Sequence, residues 1–351
     1  MDLMLSDQTL SYLKLHLYKG VGWKTLADLH TLYSDPEDMF QSLKPQDELQ
    51  DRLNFELKLI EKHGVTVLSQ VDEAFPECLK HIEDPPVVVY VKGQLAALKG
   101  EEIVAVVGTR YPSVHARSNA KQLGEDCANA GWTVVSGLAL GVDGAAHQGV
   151  LNKGGVTIAV LGTGLAQTYP SDHKEMAKDI CEKGCLLSEF RMELGPSRGT
   201  FPKRNRMISA LSNKGVVVVE GAKKSGSLIT ATYAKRQGRM IYAMPGVANH
   251  VKTAGNNHLL KQGAYFLESA YDLKGFPKKV EKKRAVQKNI ILSEQQKTVL
   301  SWLVNGPSYL QNLHCEAKKK GLTLPQMTSI LTLLELKGLV RQLPGQKYCK
   351  I

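Results

Sequence analysis

The stretch IVAVVGTR, residues 103–110, is an uninterrupted apolar run that ends in a glycine, a hydroxyl side chain and a cation. Three runs of the same design follow it: TVVSG at 133–137, TIAVLGTG at 157–164 and VVVVEG at 216–221. Segments with helical spacing of apolar residues separate these runs. Continuous apolar strands that alternate with helices are typical of a parallel sheet covered on both faces. The sequence therefore predicts an α/β fold with a Rossmann-like parallel sheet over residues 73–273.

The remaining elements of this central domain follow from the same patterns. Short apolar runs bounded by glycine or proline indicate strands, and Ser113 and Ser225 stand where side chains cap helices. Further strands are predicted at 87–91, 186–190 and 240–243, and helices at 113–130, 142–151, 172–183 and 225–234.

The flanking segments have different compositions and predict separate domains. Residues 1–72 are predicted to form a small helical domain, since leucines recur at helical spacing around the turn Gly20-Val21-Gly22. That turn resembles a helix-hairpin-helix, but 10 Lys/Arg against 16 Asp/Glu in residues 1–100 argue against contact with DNA. Lysine-dense residues 274–290 are predicted to be a basic linker. Residues 291–351 show three helical segments and a terminal hairpin, the pattern of a winged helix.

The overall composition of the 351 residues is that of an ordinary globular protein, with 43% hydrophobic and 23% charged residues. The net charge is +11, and residues 274–351 alone carry 15 Lys/Arg against 4 Asp/Glu, which indicates a polyanionic partner or a solvated tail. The first residues lack the pattern of a signal peptide, no apolar run is long enough to span a bilayer, and six scattered cysteines form no C-x-x-C pair. We expect a cytoplasmic protein with neither a metal site nor a cofactor.

Four loops stand where predicted strands end, and all are rich in glycine or hydroxyl side chains. Such loops expose backbone amides to anions, and ligands of open parallel sheets bind beyond the carboxyl ends of the strands. The loops predict an elongated ligand with several phosphates, the alternative being the tight turns that every doubly wound fold requires. Their residues are Gly108, Thr109 and Arg110; Ser136 and Gly137; Gly162, Thr163 and Gly164; and Ser225, Gly226 and Ser227.

The densest basic segment is Arg198–Arg206, expected just before a helix. It combines Lys203, Arg204 and Arg206 with Asn205 and with the aromatic side chain of Phe201. Cations for phosphates beside an aromatic stacking surface are the usual means of binding single-stranded nucleic acid. The alternative is a solvated run of charge. Neither G-x-G-x-x-G after the first strand nor a P-loop is present, which argues against NAD and ATP by these routes.

Candidates for acid–base catalysis are few. Asp143 and His147 are spaced to share one helix face, and Glu220 ends a strand where it could meet a ribose. A structural role is the more frequent one for such a helical Asp–His pair. We therefore predict no catalytic residues.

Together these strings resemble the DNA processing protein A (DprA/Smf) family. The resemblance rests on the four strand-end loops in their order, on Phe201–Arg206, on Tyr169-Pro170 and on Pro245-Gly246. It covers residues 75–270 most strongly, and the flanking segments are similar to the family's SAM-like and winged-helix domains. His173 departs from the family, many members of which have asparagine there.

The resemblance implies a non-catalytic, cytoplasmic protein of DNA recombination and competence. It would bind and protect incoming single-stranded DNA in natural transformation, help to load the RecA recombinase, and form a homodimer through the Rossmann-like domain. The family's DNA-binding arginine maps onto Arg110, and its basic pocket fits Lys203, Arg204 and Arg206. The alternative is an enzyme, a Rossmann-like nucleoside-monophosphate phosphoribohydrolase. The Pro-Gly-Gly-x-Gly-Thr-x-x-Glu string of those enzymes is absent here.

Overall fold

The computed structural model describes residues 5–277, 292–304 and 306–350. These residues form two compact units, 5–277 and 292–350. Residues 278–291, which hold most of the predicted linker, lie outside the described residues. The first four residues of that predicted linker, 274–277, belong to the larger unit, where Phe276 is buried and its ring lies 4.8 Å from that of Trp132.

The chain begins with helices, as predicted. They are α1 (Asp7–Leu17), α2 (Trp23–Leu32), α3 (Pro36–Gln41) and α4 (Leu49–His63), and the side chains of Ser6 and Asp35 cap α1 and α3. Strand β1 (Thr66–Ser69) follows, then the one-turn helix α5 (Glu77–Lys80) and strand β2 (Val88–Gly93). Strand β1 pairs antiparallel with β2, so the end of the predicted helical domain joins the central sheet.

Strands and helices then alternate to the end of the larger unit. In chain order they are β3 (Ile103–Val107), α6 (Val114–Asn129), β4 (Thr133–Ser136), α7 (Val142–Asn152), β5 (Thr157–Val160), α8 (Lys174–Lys183), β6 (Cys185–Ser188), α9 (Thr200–Leu211), β7 (Val216–Val218), α10 (Gly226–Arg236), β8 (Ile241–Ala243), α11 (Ala254–Lys261) and β9 (Tyr265–Phe266).

These strands form one nine-stranded sheet in the order β1-β2-β6-β5-β4-β3-β7-β8-β9. The seven strands from β6 to β9 are parallel, which confirms the predicted α/β class. Strand β2 pairs antiparallel with β6. Strand β9 was not predicted, because it has only two residues and both are exposed.

Strand β3 shows why its sequence is continuously apolar. Ile103, Ala105 and Val107 belong to one core, together with residues of α9 and α10. Val104 and Val106 belong to the core on the opposite face, together with residues of α6 and α7. Both faces of the strand are therefore buried under helices.

The smaller unit has the predicted three helices and hairpin. Its elements are α12 (Glu294–Ser301), β10 (Ser308–Tyr309), α13 (Leu310–Lys319), α14 (Leu324–Leu336), β11 (Val340–Leu343) and β12 (Lys347–Lys350). Ser293 and Gln296 form a reciprocal capping box at the start of α12. In neither unit does a described helix have the length and apolar character required to cross a membrane.

Candidate nucleic-acid interface

A pocket of about 330 Å³ lies beyond the carboxyl ends of β3 and β7. These two strands are neighbours, and the order of the sheet reverses between them, so the pocket is at the topological switch point where ligands bind in such sheets. Three of the groups predicted from the sequence line it: Gly108, Thr109 and Arg110; Phe201, Arg204 and Asn205; and Ser225, Gly226 and Ser227.

Arg110 is the exposed cation of this pocket. Its guanidinium carbon lies 5.2 Å from the centre of the Phe201 ring, a cation–π arrangement. Among the described residues, no carboxylate forms an ion pair with it. The charge and the planar face of Arg110 are therefore available to a ligand.

The Phe201 ring is held in place by its neighbours. It lies 5.7 Å from the ring of Tyr169, and a Cβ atom at Gly162 would stand 2.7 Å from its Cδ1 atom. Tyr111, next to Arg110, is 77% exposed. The pocket thus combines a free guanidinium with aromatic side chains on which bases can stack.

The prediction that the basic segment precedes a helix is wrong, because α9 begins at Thr200 and contains it. Pro202 is accommodated in the first turn, where its missing N–H is not needed. Helical spacing then divides the segment between two faces. Phe201, Arg204 and Asn205 line the pocket, whereas Lys203 and Arg206 line a separate cleft.

Arg204 forms the floor of the pocket and is only 5% exposed. Its Nη1 donates to the carbonyl oxygens of Gly137, at 2.7 Å, and of Val160. Burial lowers the pKa of Arg204 to about 10, an effect that the nearby Asp143 carboxylate opposes. Arg204 therefore joins the ends of β4 and β5 beneath the ligand site.

Arg206 is also buried and its charge is paired. Its Nη2 donates to Glu189 at 2.6 Å, and its Nε lies 3.4 Å from a carboxylate oxygen of Asp84. Lys203 Nζ lies 3.6 Å from Glu189 and 3.8 Å from Asp84. The structure does not bring these two cations to Arg110.

Two of the four predicted loops pack beneath the pocket instead of opening into it. Ser136 is buried, and its hydroxyl donates to the carbonyl of Val106 at 2.6 Å. Thr163 is buried, and a Cβ atom at Gly137 would stand 2.5 Å from Nη2 of Arg204. Gly162 and Gly164 are buried as well, against Phe201 and the backbone of Arg191. The tight-turn interpretation fits these residues.

The acid–base candidates have structural partners. Glu220 accepts hydrogen bonds from the backbone N–H and the hydroxyl of Ser113, at 2.9 and 2.7 Å, and so fixes the start of α6. Asp143 accepts from the Gly137 N–H. His147 is hydrogen-bonded to Thr157, and burial lowers its pKa to about 3. The described residues contain no cluster of side chains suited to a metal ion.

Sequence analysis missed several residues around the pocket. Tyr111 lines it, and Lys252 Nζ donates to the Tyr111 carbonyl at 3.0 Å. Lys223 and Lys224 are exposed immediately before the Ser225 loop. Tyr111 and Lys224 adjoin predicted site residues in the sequence and Lys223 lies two residues before Ser225, whereas the fold alone brings Lys252 to Tyr111.

Comparison with known proteins agrees with this arrangement. The profile of the family described as DNA recombination-mediator protein A matches residues 66–276, and the DprA winged helix domain matches residues 317–346. The DNA processing protein DprA of Bacillus subtilis is 38% identical over 212 residues, which make up 60% of this chain and 71% of that protein. The chain belongs to the DNA recombination-mediator protein A family.

Two solved structures of that family are similar to this chain. The X-ray structure of DNA processing protein A from Streptococcus pneumoniae has a TM-score of 0.66 at 31% identity and covers 76% of this chain and 98% of its own. DNA processing protein A from Helicobacter pylori, solved for its single-stranded DNA binding mode, has a TM-score of 0.53 at 30% identity and covers 59% and 93%.

Proposed function

We propose that this protein binds single-stranded DNA in the pocket at the switch point and protects incoming strands during natural transformation. The observation that carries the proposal is the Arg110 guanidinium, which pairs with no carboxylate of the described residues and lies over the Phe201 ring, beside the exposed Tyr111. A cation next to aromatic faces binds phosphates and stacks bases without reading their sequence. The related Helicobacter pylori protein, which binds single-stranded DNA, supports this function.

The test is the affinity of the Arg110→Ala variant for oligo-dT, measured by fluorescence anisotropy over a salt series. We expect a loss of about 1–3 kcal/mol, roughly 5- to 150-fold, because stacking and a phosphate contact are both removed. Arg110→Lys keeps the charge and should retain the salt dependence but not the full affinity. Lys178→Ala, which removes an exposed, paired lysine of α8, is the control. Wild-type affinity in a folded Arg110→Ala protein would contradict the proposal.

We further propose that the protein has no catalytic activity. The support is that Asp143, His147 and Glu220 are all occupied in holding loops and helix starts. Release of free base from nucleoside monophosphates, abolished by Glu220→Ala, would overturn this and favour the phosphoribohydrolase alternative.

The partners we propose are the RecA recombinase and a second copy of this chain, in the cytoplasm. Dimerisation through the Rossmann-like domain is supported by β9, the outer strand of the sheet, whose Tyr265 and Phe266 are more than half exposed. An open strand edge with apolar side chains is a ready pairing surface. Sedimentation equilibrium should show a dimer for the wild type and a monomer for Phe266→Asp.

The proposed RecA partnership is tested by the rate at which RecA filaments form on single-stranded DNA. We expect faster filament formation on strands coated with this protein than on bare strands, and an unchanged rate would contradict the partnership.

A further inference from the structure

A second cleft, of about 610 Å³, lies on the other face of α9. Helix α9 separates it from the Arg110 pocket, since Phe201 and Arg204 face the pocket while Pro202, Lys203 and Arg206 line the cleft. The opposite wall includes Ile82, and α10 and the turn after it contribute Tyr233, Arg236 and Arg239. The proposed function assigns nothing to this cleft.

The lining of the cleft has more cations than carboxylates. Its lining has four cations, Lys203, Arg206, Arg236 and Arg239, and two carboxylates, Glu83 and Asp84, with Glu189 behind them. Each carboxylate already pairs with a cation: Glu83 with Arg236 at 3.3 Å, Asp84 with Arg206 and Lys203, and Glu189 with the same two.

Two guanidinium groups still have N–H groups without partners. Arg206 is only 3% exposed, and its Nη1 has no hydrogen-bond acceptor among the described residues. Arg239 uses Nη2 to bond the carbonyl of Ala210 at 2.7 Å, yet its buried Nε has no acceptor in the same part of the chain. These unpartnered N–H groups lie beneath the surface of the cleft, so its attraction for an anionic ligand comes from the lining itself, where four cations stand against two carboxylates.

The rest of the lining suits a flat organic group. Ile82, Pro202 and Ala210 give apolar walls, and the half-buried Tyr233 offers an aromatic side chain. A nucleotide joins an anionic phosphate to a planar base, and proteins bind single strands with cations beside an aromatic side chain. An isolated inorganic anion would leave the apolar walls uncovered.

The route from the pocket to the cleft crosses the start of α9. Residues 197–199 there are exposed, and Arg198 adds a cation. A Cβ atom at Gly199 would meet nothing within 4 Å, so the backbone is open to a passing strand. The N–H groups of the first turn of α9 also favour phosphate.

We propose that this cleft is a second subsite for the same DNA strand, which leaves the Arg110 pocket, crosses the start of α9 and places a further nucleotide between Tyr233 and the arginines. The inference rests on the proposed single-strand binding. It assigns to Lys203 and Arg236 a role that only strands long enough to reach the cleft can reveal.

The test compares two lengths of oligo-dT, about 4 and about 16 nucleotides, near the limits of a single-strand binding site. In the Lys203→Ala/Arg236→Ala variant, affinity for the long strand should fall about 10-fold, with a smaller salt dependence, while affinity for the short strand stays within about 2-fold of the wild type. Arg236 is 62% exposed and, within the part of the chain that the structure describes, its ion pair is with the exposed Glu83, so Arg236→Ala alone preserves the buried network and should show part of the effect. Lys178→Ala is again the matched control.

The outcomes separate the two proposals. Arg110→Ala should weaken both lengths, and if it weakens neither, the proposed function itself fails. If the cleft variants lose the same affinity for short and for long strands, the substitutions act on the Arg110 pocket, and the second subsite is overturned. Unchanged binding of the long strand would overturn it as well. Because Lys203 neighbours the buried Glu189 and the partly exposed Asp84, thermal melting of each variant checks that the fold is retained.

Discussion

Arg204 and Arg110 lie at the same pocket, but only Arg110 is free to bind a ligand. Arg204 donates hydrogen bonds to the carbonyls of Gly137 and Val160 and offsets the charge of the buried Asp143. Burial raises the pKa of that carboxyl group. A buried cation with internal partners contributes mainly to the fold, whereas an exposed one without partners can contribute its full charge to binding.

Arg204→Ala should therefore lower the free energy of unfolding by about 3–5 kcal/mol, the range for removing one member of a buried charged group. Arg110→Ala should change it by no more than about 0.5 kcal/mol, because Arg110 is exposed. Urea denaturation followed by circular dichroism measures both. Equal stabilities of the two variants would show that Arg204 is not a structural residue.

The buried His147 and the partly buried His16 make stability dependent on pH. Burial, together with Lys203 and Arg191, lowers the pKa of His16 to about 4, and burial, with His173 and Arg204, lowers that of His147 to about 3. In the unfolded chain these histidines bind protons near pH 6.5, whereas in the folded chain they stay neutral until the pH is much lower. The stabilising contribution of each neutral histidine is therefore complete above pH 6.5 and is lost as the pH falls toward the folded value.

At about 1.36 kcal/mol per pH unit, each histidine costs about 2 kcal/mol of stability between pH 7 and pH 5. His16→Gln should accordingly lose about 2 kcal/mol less than the wild type over that interval. Urea titrations of both proteins at the two pH values measure the difference. The same loss in both proteins would mean that His16 is protonated in the folded state.

At the scale of elements, the strands could be predicted from the sequence, but the start of α9 and the division of its cations between two faces could not. Each apolar run of 103–107, 133–136, 157–160 and 216–218 forms a strand, because burial on both faces leaves a direct signature in the sequence. The pocket residues Arg110 and Phe201 were also predictable from their types and positions.

The division of the basic segment depended on where α9 starts. The whole segment was expected before the helix, whereas α9 begins at Thr200, with Pro202 tolerated in its first turn, and helical spacing then decides which cations share a face. The burial of Arg204 and Arg206 depends on partners distant in sequence, such as Gly137 and Glu189, which no local pattern could indicate.

Gly162, the glycine after β5, supports the proposed binding site through Phe201. Gly162→Ala would place its Cβ 2.7 Å from the Phe201 ring and force the ring away from Arg110. Affinity for oligo-dT should fall by about 1 kcal/mol, toward the lower end for a lost stacking contact. Gly195→Ala, whose Cβ would have only an ordinary contact at 3.8 Å from Gln167, is the control. Wild-type affinity in a folded Gly162→Ala protein would mean that the ring does not contact DNA.

At the scale of the whole molecule, the excess of positive charge and the proposed single-strand pocket belong to different units. The last 78 residues carry 15 Lys/Arg against 4 Asp/Glu. Yet Glu335 is the only charged residue of α14, the recognition helix of a winged helix, and the hydroxyls of its Thr328 and Thr332 bond the backbone of the preceding turn. Leu333 and Leu336 are exposed there. Such a helix lacks the arginine, lysine and asparagine side chains that read base edges.

We therefore expect the tail to add affinity through charge alone. A chain that ends at Pro277 keeps Phe276 in the core of the larger unit and should still prefer single-stranded oligo-dT to duplex DNA of equal length. Its affinity should fall most at about 0.05 M salt and approach that of the full chain at about 0.2 M, because the lost contacts are to phosphates and are screened by ions. Anisotropy titrations of both chains over this series measure the effect. If the shortened, folded protein binds no single strand at any salt concentration, the main DNA site lies in the winged helix, and Arg110 would have to act on some other ligand.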